Sequence, residues 1–175
     1  KSSFEDKIID ITQMKILDED KEILDVYFSA YCSYLVGSCS GFSALAAMFG
    51  KKTLSTNMAP FTHSLSINPG LSIPKLFKCK KTNKFLMFNE IFSSRVHNFF
   101  HSNFYDENNI ELVDNSEEEI LNAFKDLENN YLNKSEDELQ NKFRNLFKKN
   151  TEFDYCYYSN SSISPSFIKK YFNLL

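Results

Sequence analysis

The sequence predicts an α/β domain whose parallel sheet is joined by crossover helices. Short β-branched or apolar runs alternate with helical periodicities from residue 7 to residue 56. Strand, helix, strand, helix, strand is the order that parallel crossover connections produce. A turn of small residues, Gly37-Ser38-Cys39-Ser40-Gly41, closes one of those runs directly into an apolar helix. Two Ser-x-x-Glu capping boxes, at Ser116 and Ser135, open helices in the C-terminal half.

Taken in order, residues 7–12 (KIIDIT) read as a strand, because β-branched side chains suit a pleated surface. Residues 17–32 place Ile23, Leu24, Tyr27, Phe28 and Tyr31 on one helical face. Residues 34–36 form a second strand, stopped by Gly37. Residues 42–49 are an apolar helix with Gly50 as its C-terminal cap, expected to be buried against the sheet. Residues 52–56 are the third strand. Residues 58–84 contain Pro60, Pro69, Gly70 and Pro74 and read as a long irregular loop, functional or partner-facing. Short helices follow in residues 88–100, then a fourth strand at residues 110–113. The capping boxes start helices carrying Ile120, Phe124 and Leu127 in the first and ending near Phe147 in the second.

The 175 residues suit one domain, and 42% hydrophobic with 25% charged residues describes a soluble, globular chain. No apolar run approaches the ~20 residues that span a bilayer, and no secretory leader opens the chain. The first residue, Lys1, leads to the expectation of a piece of a longer protein, residues 1–175 lacking an upstream domain. Cys32, Cys39, Cys79 and Cys156 are scattered, which suits reduced thiols and a cytoplasmic location. A zinc site from Cys39, Cys79, His97 and His101 has only one closely spaced pair, so no metal is expected.

Charge is unevenly distributed. Residues 1–36 carry 4 basic and 8 acidic groups, and residues 105–175 carry 8 basic and 14 acidic. Residues 37–104 carry 8 basic groups and the single acid Glu90, with every glycine and histidine of the chain. Positive charge with backbone irregularity suggests a site for an anionic ligand, against the plainer alternative of a solvated basic face. Nucleic acid is not the expected anion, because the whole chain is acidic and carries no nucleic-acid-binding signature.

The turn at residues 37–41 is the most informative stretch. Its small residues let a ligand approach the backbone, Ser38 and Ser40 add hydroxyls, and a helix start presents free N–H groups to an anion. Open α/β sheets bind ligands at this carboxyl edge. The alternative is a capped turn that binds nothing. Enzyme motifs fit less well: Cys39 replaces the middle glycine of GxGxxG, and GKKT at residues 50–53 follows a helix where a phosphate-binding loop precedes one. The segment also matches GxCxG, a cysteine nucleophile elbow. The acid and histidine that such an elbow needs downstream would be Glu90 with His97 or His101.

Residues 34–57, ending VGSCSGFSALAAMFGKKTLSTN, resemble the G(T/S)xSGxxxLAxxFGxPxLxTN segment of a glycosyltransferase family found in bacterial surface-polysaccharide clusters. The likeness continues through IPKLFKCKKTNKFLMFNEIF (residues 73–92) and VDNSEEEI (residues 113–120) to the closing SISPSFIKKYFNLL. Lys52 departs from the family, which has proline there. The resemblance implies a Rossmann-like domain, a parallel sheet flanked by helices, as the C-terminal half of a GT-B-type glycosyltransferase. It implies donor diphosphate held at Gly37, Ser38, Cys39, Ser40 and Gly41, with Asn57 beside it. Lys75 would reach a phosphate, and Glu90 would accept hydrogen bonds from a sugar or ribose. It implies no cofactor, a nucleotide-sugar donor, a glycan or lipid-linked acceptor, a missing N-terminal domain and a cytoplasmic protein at most peripheral to the inner membrane. No catalytic residue is assigned, because the base in such enzymes usually comes from the N-terminal domain. His63 fits a loop histidine with no function better than an acid or base. The alternative function is a non-catalytic sugar-nucleotide or phospho-glycan binding module.

Overall fold

Helix α1 (Asp18–Tyr31) leads into β1 (Tyr34–Gly37), α2 (Gly41–Met48) and β2 (Lys52–Met58), the succession that periodicity predicts. The computed structural model describes residues 8–15, 17–67, 69–129, 135–148 and 154–175. Ser40 caps α2, and Gly50 terminates it at φ +69, a left-handed conformation that favours glycine. The Gly50 N–H donates to the Ala47 carbonyl at 2.8 Å and Lys51 N–H to Ala46 at 3.0 Å, which is the Schellman pattern.

Beyond β2 the chain departs from the sequence reading. Residues 58–84 are not one loop. They supply β3 (Gly70–Pro74), β4 (Leu76–Cys79) and β5 (Lys84–Phe85), and every residue of β3 is buried. Next come α3 (Phe88–Ser93), α4 (Ser102–Glu107), β6 (Ile110–Val113) and α5 (Glu117–Glu128). The chain ends in α6 (Glu138–Lys148), α7 (Asp154–Tyr157), β7 (Ser162–Ile163) and α8 (Pro165–Lys170).

Among the described residues there are two sheets: a parallel one in the order β1-β2-β3-β7, and an antiparallel one in the order β5-β4-β6. The chain is therefore α/β, a four-stranded parallel sheet flanked by helices and compatible with a Rossmann-like fold. Helix α5 packs over β2 and β3, and α6 packs against β7 and α8. Gly70 lies so close to β2 that a Cβ there would come within 2.2 Å of Thr53 Oγ1. The core is rich in phenylalanine: Phe61 stacks on Phe88 at 5.4 Å and meets Phe77 and Phe143 edge-on, each at 5.7 Å. Among the described residues no helix is long and apolar enough to cross a membrane.

Three further expectations are corrected. The described part of residues 7–12 forms no strand; Ile11–Gln13 is a 3-10 turn capped by Asp10, and Ile8 and Ile9 are exposed. The fourth strand expected at residues 110–113 is present at those bounds as β6, in the antiparallel sheet. The box at Ser135 is displaced two residues, to Asp137 and Gln140, whose side chains accept each other's backbone N–H at 3.1 and 2.9 Å. Helix α2 buries only one face, with Ser43 and Ala46 inside and Met48 exposed.

Arg144 ties α6 to the segment that delivers β7. Its Nε donates to Glu136 Oε2 at 2.7 Å and its Nη2 to Glu136 Oε1 at 2.5 Å. Nη1 donates to the carbonyls of Cys156, Tyr157 and Ser159 at 3.2, 3.0 and 2.8 Å, and Nη2 also reaches that of Ser161. Both side chains are largely buried, at 14% and 15% exposure. Removing one partner of such a pair costs about 3–5 kcal/mol when burial is complete, so the lower end applies here. Arg144→Ala should therefore lose about 3 kcal/mol in urea denaturation. Arg144→Lys should recover only part, since an ammonium cannot reproduce the fork. Wild-type stability in Arg144→Ala would show that Glu136 and the carbonyls find other partners.

Glu119 makes a second tie. Its Oε2 accepts the Ser116 N–H at 2.8 Å, and its Oε1 accepts Lys170 Nζ at 2.7 Å and the Tyr171 hydroxyl. Burial alone would raise its pKa, but these donors outweigh burial and hold it below the ordinary 4.5. A depressed carboxylate stabilises the fold above its unfolded pKa and loses that contribution as pH falls through the folded value. The melting temperature should fall below about pH 4.5 more steeply in wild type than in Glu119→Gln. Parallel profiles would remove Glu119 from the acid limb.

Candidate functional site

β1 ends at Gly37 because Ser43, one turn into α2, takes the space beside it; a Cβ on Gly37 would lie 3.2 Å from Ser43 Oγ. That hydroxyl donates to the Ser38 carbonyl at 2.9 Å, and Ser40 Oγ accepts the Ser43 N–H at 3.4 Å. The turn is thus fixed by its own serines. Ser38, Cys39, Ser40 and Gly41 are exposed, and a Cβ at Gly41 would meet nothing within 4 Å. The first N–H groups of an α-helix have no acceptor inside it, and Gly41 and Phe42 begin α2 at an exposed position.

The turn shares the carboxyl edge of the sheet with the ends of β2 and β3. Thr56 Oγ1 donates to the Gly37 carbonyl at 3.4 Å. Next to it Asn57, at φ +52, is locked to Asn115. The Asn57 N–H donates to Asn115 Oδ1 at 2.6 Å, and the Asn115 N–H returns a bond to Asn57 Oδ1 at 2.7 Å. Asn115 Nδ2 donates to the Pro74 carbonyl at 2.9 Å, and the Lys75 N–H to the Met58 carbonyl at 3.2 Å. Lys75 thereby stands two strands from the turn, about 10 Å across the sheet. Its Nζ lies 2.5 Å from Asp114 Oδ1, and the aspartate is 68% exposed.

The structure thus brings seven of the eight predicted residues to one edge: Gly37 to Gly41, Asn57 and Lys75. It gives Asn57 a structural duty, because its side-chain oxygen is already occupied. Glu90 stands apart on the exposed start of α3, where its Oε2 accepts the Met87 N–H at 2.8 Å. The basic middle segment is also less positive in space than in sequence. Lys75, Lys78 and Lys80 pair with Asp114, Glu111 and Asp106 of the acidic C-terminal third.

Among the described residues the cysteine of the elbow carries no activating partner. Burial pushes the Cys39 thiol up, and among the described residues no histidine or carboxylate bonds to it. His97 Nδ1 contacts the Ser94 carbonyl, and the His101 ring lies 5.9 Å from that of Phe104. The His63 ring packs on Phe100 at 5.3 Å, and burial lowers its pKa. All four cysteines are unbridged, and among the described residues no three His, Cys, Asp or Glu side chains cluster as metal ligands. Sequence reasoning assigned no role to Asp114 and Asn115, although both lie in the VDNSEEEI segment that carries the resemblance, nor to Tyr155. The Tyr155 hydroxyl of α7 has a pKa raised to about 12, by burial first and then by Cys156 and Cys39.

The asparagine exchange makes a prediction that stability alone reads. Asn115→Ala leaves the Asn57 N–H and Pro74 carbonyl unpaired, each costing about 1–3 kcal/mol where water cannot replace the bond. Asn57→Gly keeps the left-handed backbone and loses one acceptor, whereas Asn57→Ala adds about 1 kcal/mol of strain. Denaturation midpoints should therefore rank wild type, Asn57→Gly, Asn57→Ala in falling order; equal midpoints for the last two would deny the conformational cost. Comparison of the chain with protein-family models, with curated proteins and with solved structures finds no match.

Proposed function

We propose that this domain binds the diphosphate of a nucleotide-sugar donor at the Ser38–Gly41 turn, as the C-terminal donor-binding domain of a GT-B-type glycosyltransferase of surface-polysaccharide biosynthesis. One observation carries the reading: an exposed small-residue turn, open at Gly41, joins strand to helix at the carboxyl edge of a parallel sheet. The N–H groups of Gly41 and Phe42 and the Ser38 hydroxyl supply donors to an anion, and Lys75 supplies charge from two strands away. Its share of catalysis is electrostatic, stabilising negative charge on the departing nucleoside diphosphate. The catalytic base comes from an N-terminal domain, as the resemblance implies, in keeping with the unactivated Cys39. A non-catalytic binding module would use the same turn; sugar transfer to an acceptor, not donor binding, separates the two.

Calorimetric titration with UDP, GDP and their sugars tests the site. A carboxylate at residue 40 would face the bound phosphates, and like charges at ~4 Å repel by about 4 kcal/mol at an effective dielectric near 20. Ser40→Glu should therefore abolish binding, a loss near a thousandfold, while Ser40→Ala weakens it modestly because backbone donors remain. Lys75→Ala should weaken binding and reduce its salt dependence. Asp114→Asn should strengthen it several-fold, since the exposed aspartate both occupies Lys75 and repels phosphate. Unchanged binding by Ser40→Glu would move the site off this turn, and failure of wild type to bind any of these ligands would end the proposal.

A further inference from the structure

Asn115 stands where three segments of the chain meet, and its side chain does nothing for the helix it precedes. Ser116 caps α5 and Glu119 closes the capping box, so α5 starts without help from Asn115. The amide is spent on the parallel sheet instead. Its Oδ1 accepts the Asn57 N–H at 2.6 Å, and its Nδ2 donates to the Pro74 carbonyl at 2.9 Å, at the ends of β2 and β3 respectively. Asn115 is only 8% exposed. Satisfying an N–H and a carbonyl together takes an acceptor and a donor on one short side chain, which a primary amide has and a carboxylate lacks.

The neighbours of these bonded residues are the charged pair of the carboxyl edge. Pro74 precedes Lys75, and Asp114 precedes Asn115. The Lys75 N–H donates to the carbonyl of Met58, the residue after Asn57, at 3.2 Å, which closes the ring of three segments. Lys75 Nζ then meets Asp114 Oδ1 at 2.5 Å, with 26% of the lysine side chain exposed. Lys78 and Glu111 owe their pairing to the register of β4 on β6. Lys75 has no such ladder, because it is the residue between β3 and β4. A pair whose aspartate is mostly in solvent contributes too little to fix a long lysine unaided. The backbone on either side must place it, and Asn115 holds both sides: Pro74 through Nδ2, and Asp114 through the peptide bond they share.

We propose that Asn115 is a positioning residue of the donor site: by fixing Pro74 and Asp114 together, it sets the Lys75 ammonium at the carboxyl edge, where its charge reaches a bound diphosphate. The consequence for binding rests on the donor-site reading, whereas the placement of Lys75 is measurable without a ligand.

Acetylation by an N-hydroxysuccinimide ester, read by mass spectrometry, compares Lys75 with the exposed Lys84 in the same molecule. In wild type Lys75 should react more slowly than Lys84. Asp114→Asn should speed the reaction of Lys75 several-fold, and Asn115→Ala should do at least as much, well below its melting temperature and with circular dichroism unchanged. Asn115→Ser is the milder second variant, because its hydroxyl is too short to reach both partners. Calorimetry with UDP and GDP reads the consequence. At low salt Asn115→Ala should weaken binding by roughly fivefold, about as much as Lys75→Ala, and should weaken it no further in a Lys75→Ala background. A general loss of structure would instead add to the effect of Lys75→Ala. Unchanged acetylation of Lys75 in Asn115→Ala and Asn115→Ser would overturn the proposal, as would an equal loss of binding with and without Lys75. If wild type binds neither nucleotide, the donor reading fails, and faster acetylation of Lys75 in the Asn115 variants still upholds the positioning role.

Discussion

The two sheets meet at one pair of asparagines, and the candidate site depends on that pair. β3 and β4 form nearly one run from Gly70 to Cys79, interrupted at Lys75, with β2 beside its first half and β6 beside its second. Where β2 stops and β6 begins to serve as neighbour, backbone pairing must change hands. Asn57 and Asn115 supply the missing bonds from side-chain amides, each accepting the other's N–H. The left-handed conformation at Asn57 turns the chain out of β2 at that point, and asparagine tolerates it better than other residues with a Cβ. An apolar side chain at either position would leave a buried N–H without an acceptor. Thus the positions of Thr56 against the turn, of Lys75 and of the start of α5 are set together.

The opposite side of the parallel sheet is held by different means. β2 and β3 are joined through residues 59–69 without a full crossover helix, so side chains must replace what a helix would contribute. Phe61 and Leu65 are buried, the first within the phenylalanine cluster. Ser64 Oγ bonds the Phe61 carbonyl at 2.6 Å, Ser72 Oγ bonds the Ser64 carbonyl, and Cys156 Sγ donates to the Thr62 carbonyl at 3.2 Å. Arg144 collects the carbonyls of Cys156, Tyr157, Ser159 and Ser161, so α7 and β7 arrive already fixed to α6. Buried serine hydroxyls and one guanidinium thereby satisfy backbone groups that a connection without regular structure would otherwise strand.

These devices explain what could be read from the chain and what could not. The stretch from α1 to β2 was legible because its signals are local: apolar spacing, a serine cap and a glycine stop within a few residues of each element. The capping box at Ser116 was legible for the same reason. β3 was not, because GLSIP is buried on both faces and shows no alternation, while the surrounding prolines suggest a loop. Residues 7–12 misled in the other direction: KIIDIT has strand composition, but Ile8, Ile9 and Ile11 are exposed and Asp10 caps a turn instead. At the site, the turn was visible as a run of small residues. Asn115 went without a role in sequence because its partner, Asn57, stands 58 residues away.

The charge map changes meaning in three dimensions. Read linearly, residues 37–104 are a basic block that suggests a broad anion-attracting surface. In the fold, pairing β4 with β6 sets Lys78 opposite Glu111, and Lys80 and Lys75 reach Asp106 and Asp114 on either side. Three of the eight basic groups are thus answered by acids from the C-terminal third and cannot serve a ligand without separating those pairs. Exposed pairs are worth only about 0–1 kcal/mol, so separation is cheap wherever a stronger anion arrives. Among these three lysines, Lys75 alone stands at the carboxyl edge, held by an aspartate that is mostly in solvent. Its pair with Asp114 orients that lysine at the edge, and under the donor site proposed above a diphosphate would compete with the carboxylate for it. Of the eight basic groups of residues 37–104, the three that pair with C-terminal acids thus divide by position: Lys78 and Lys80 join β4 to its neighbours, and Lys75 stands at the carboxyl edge, two strands from the turn.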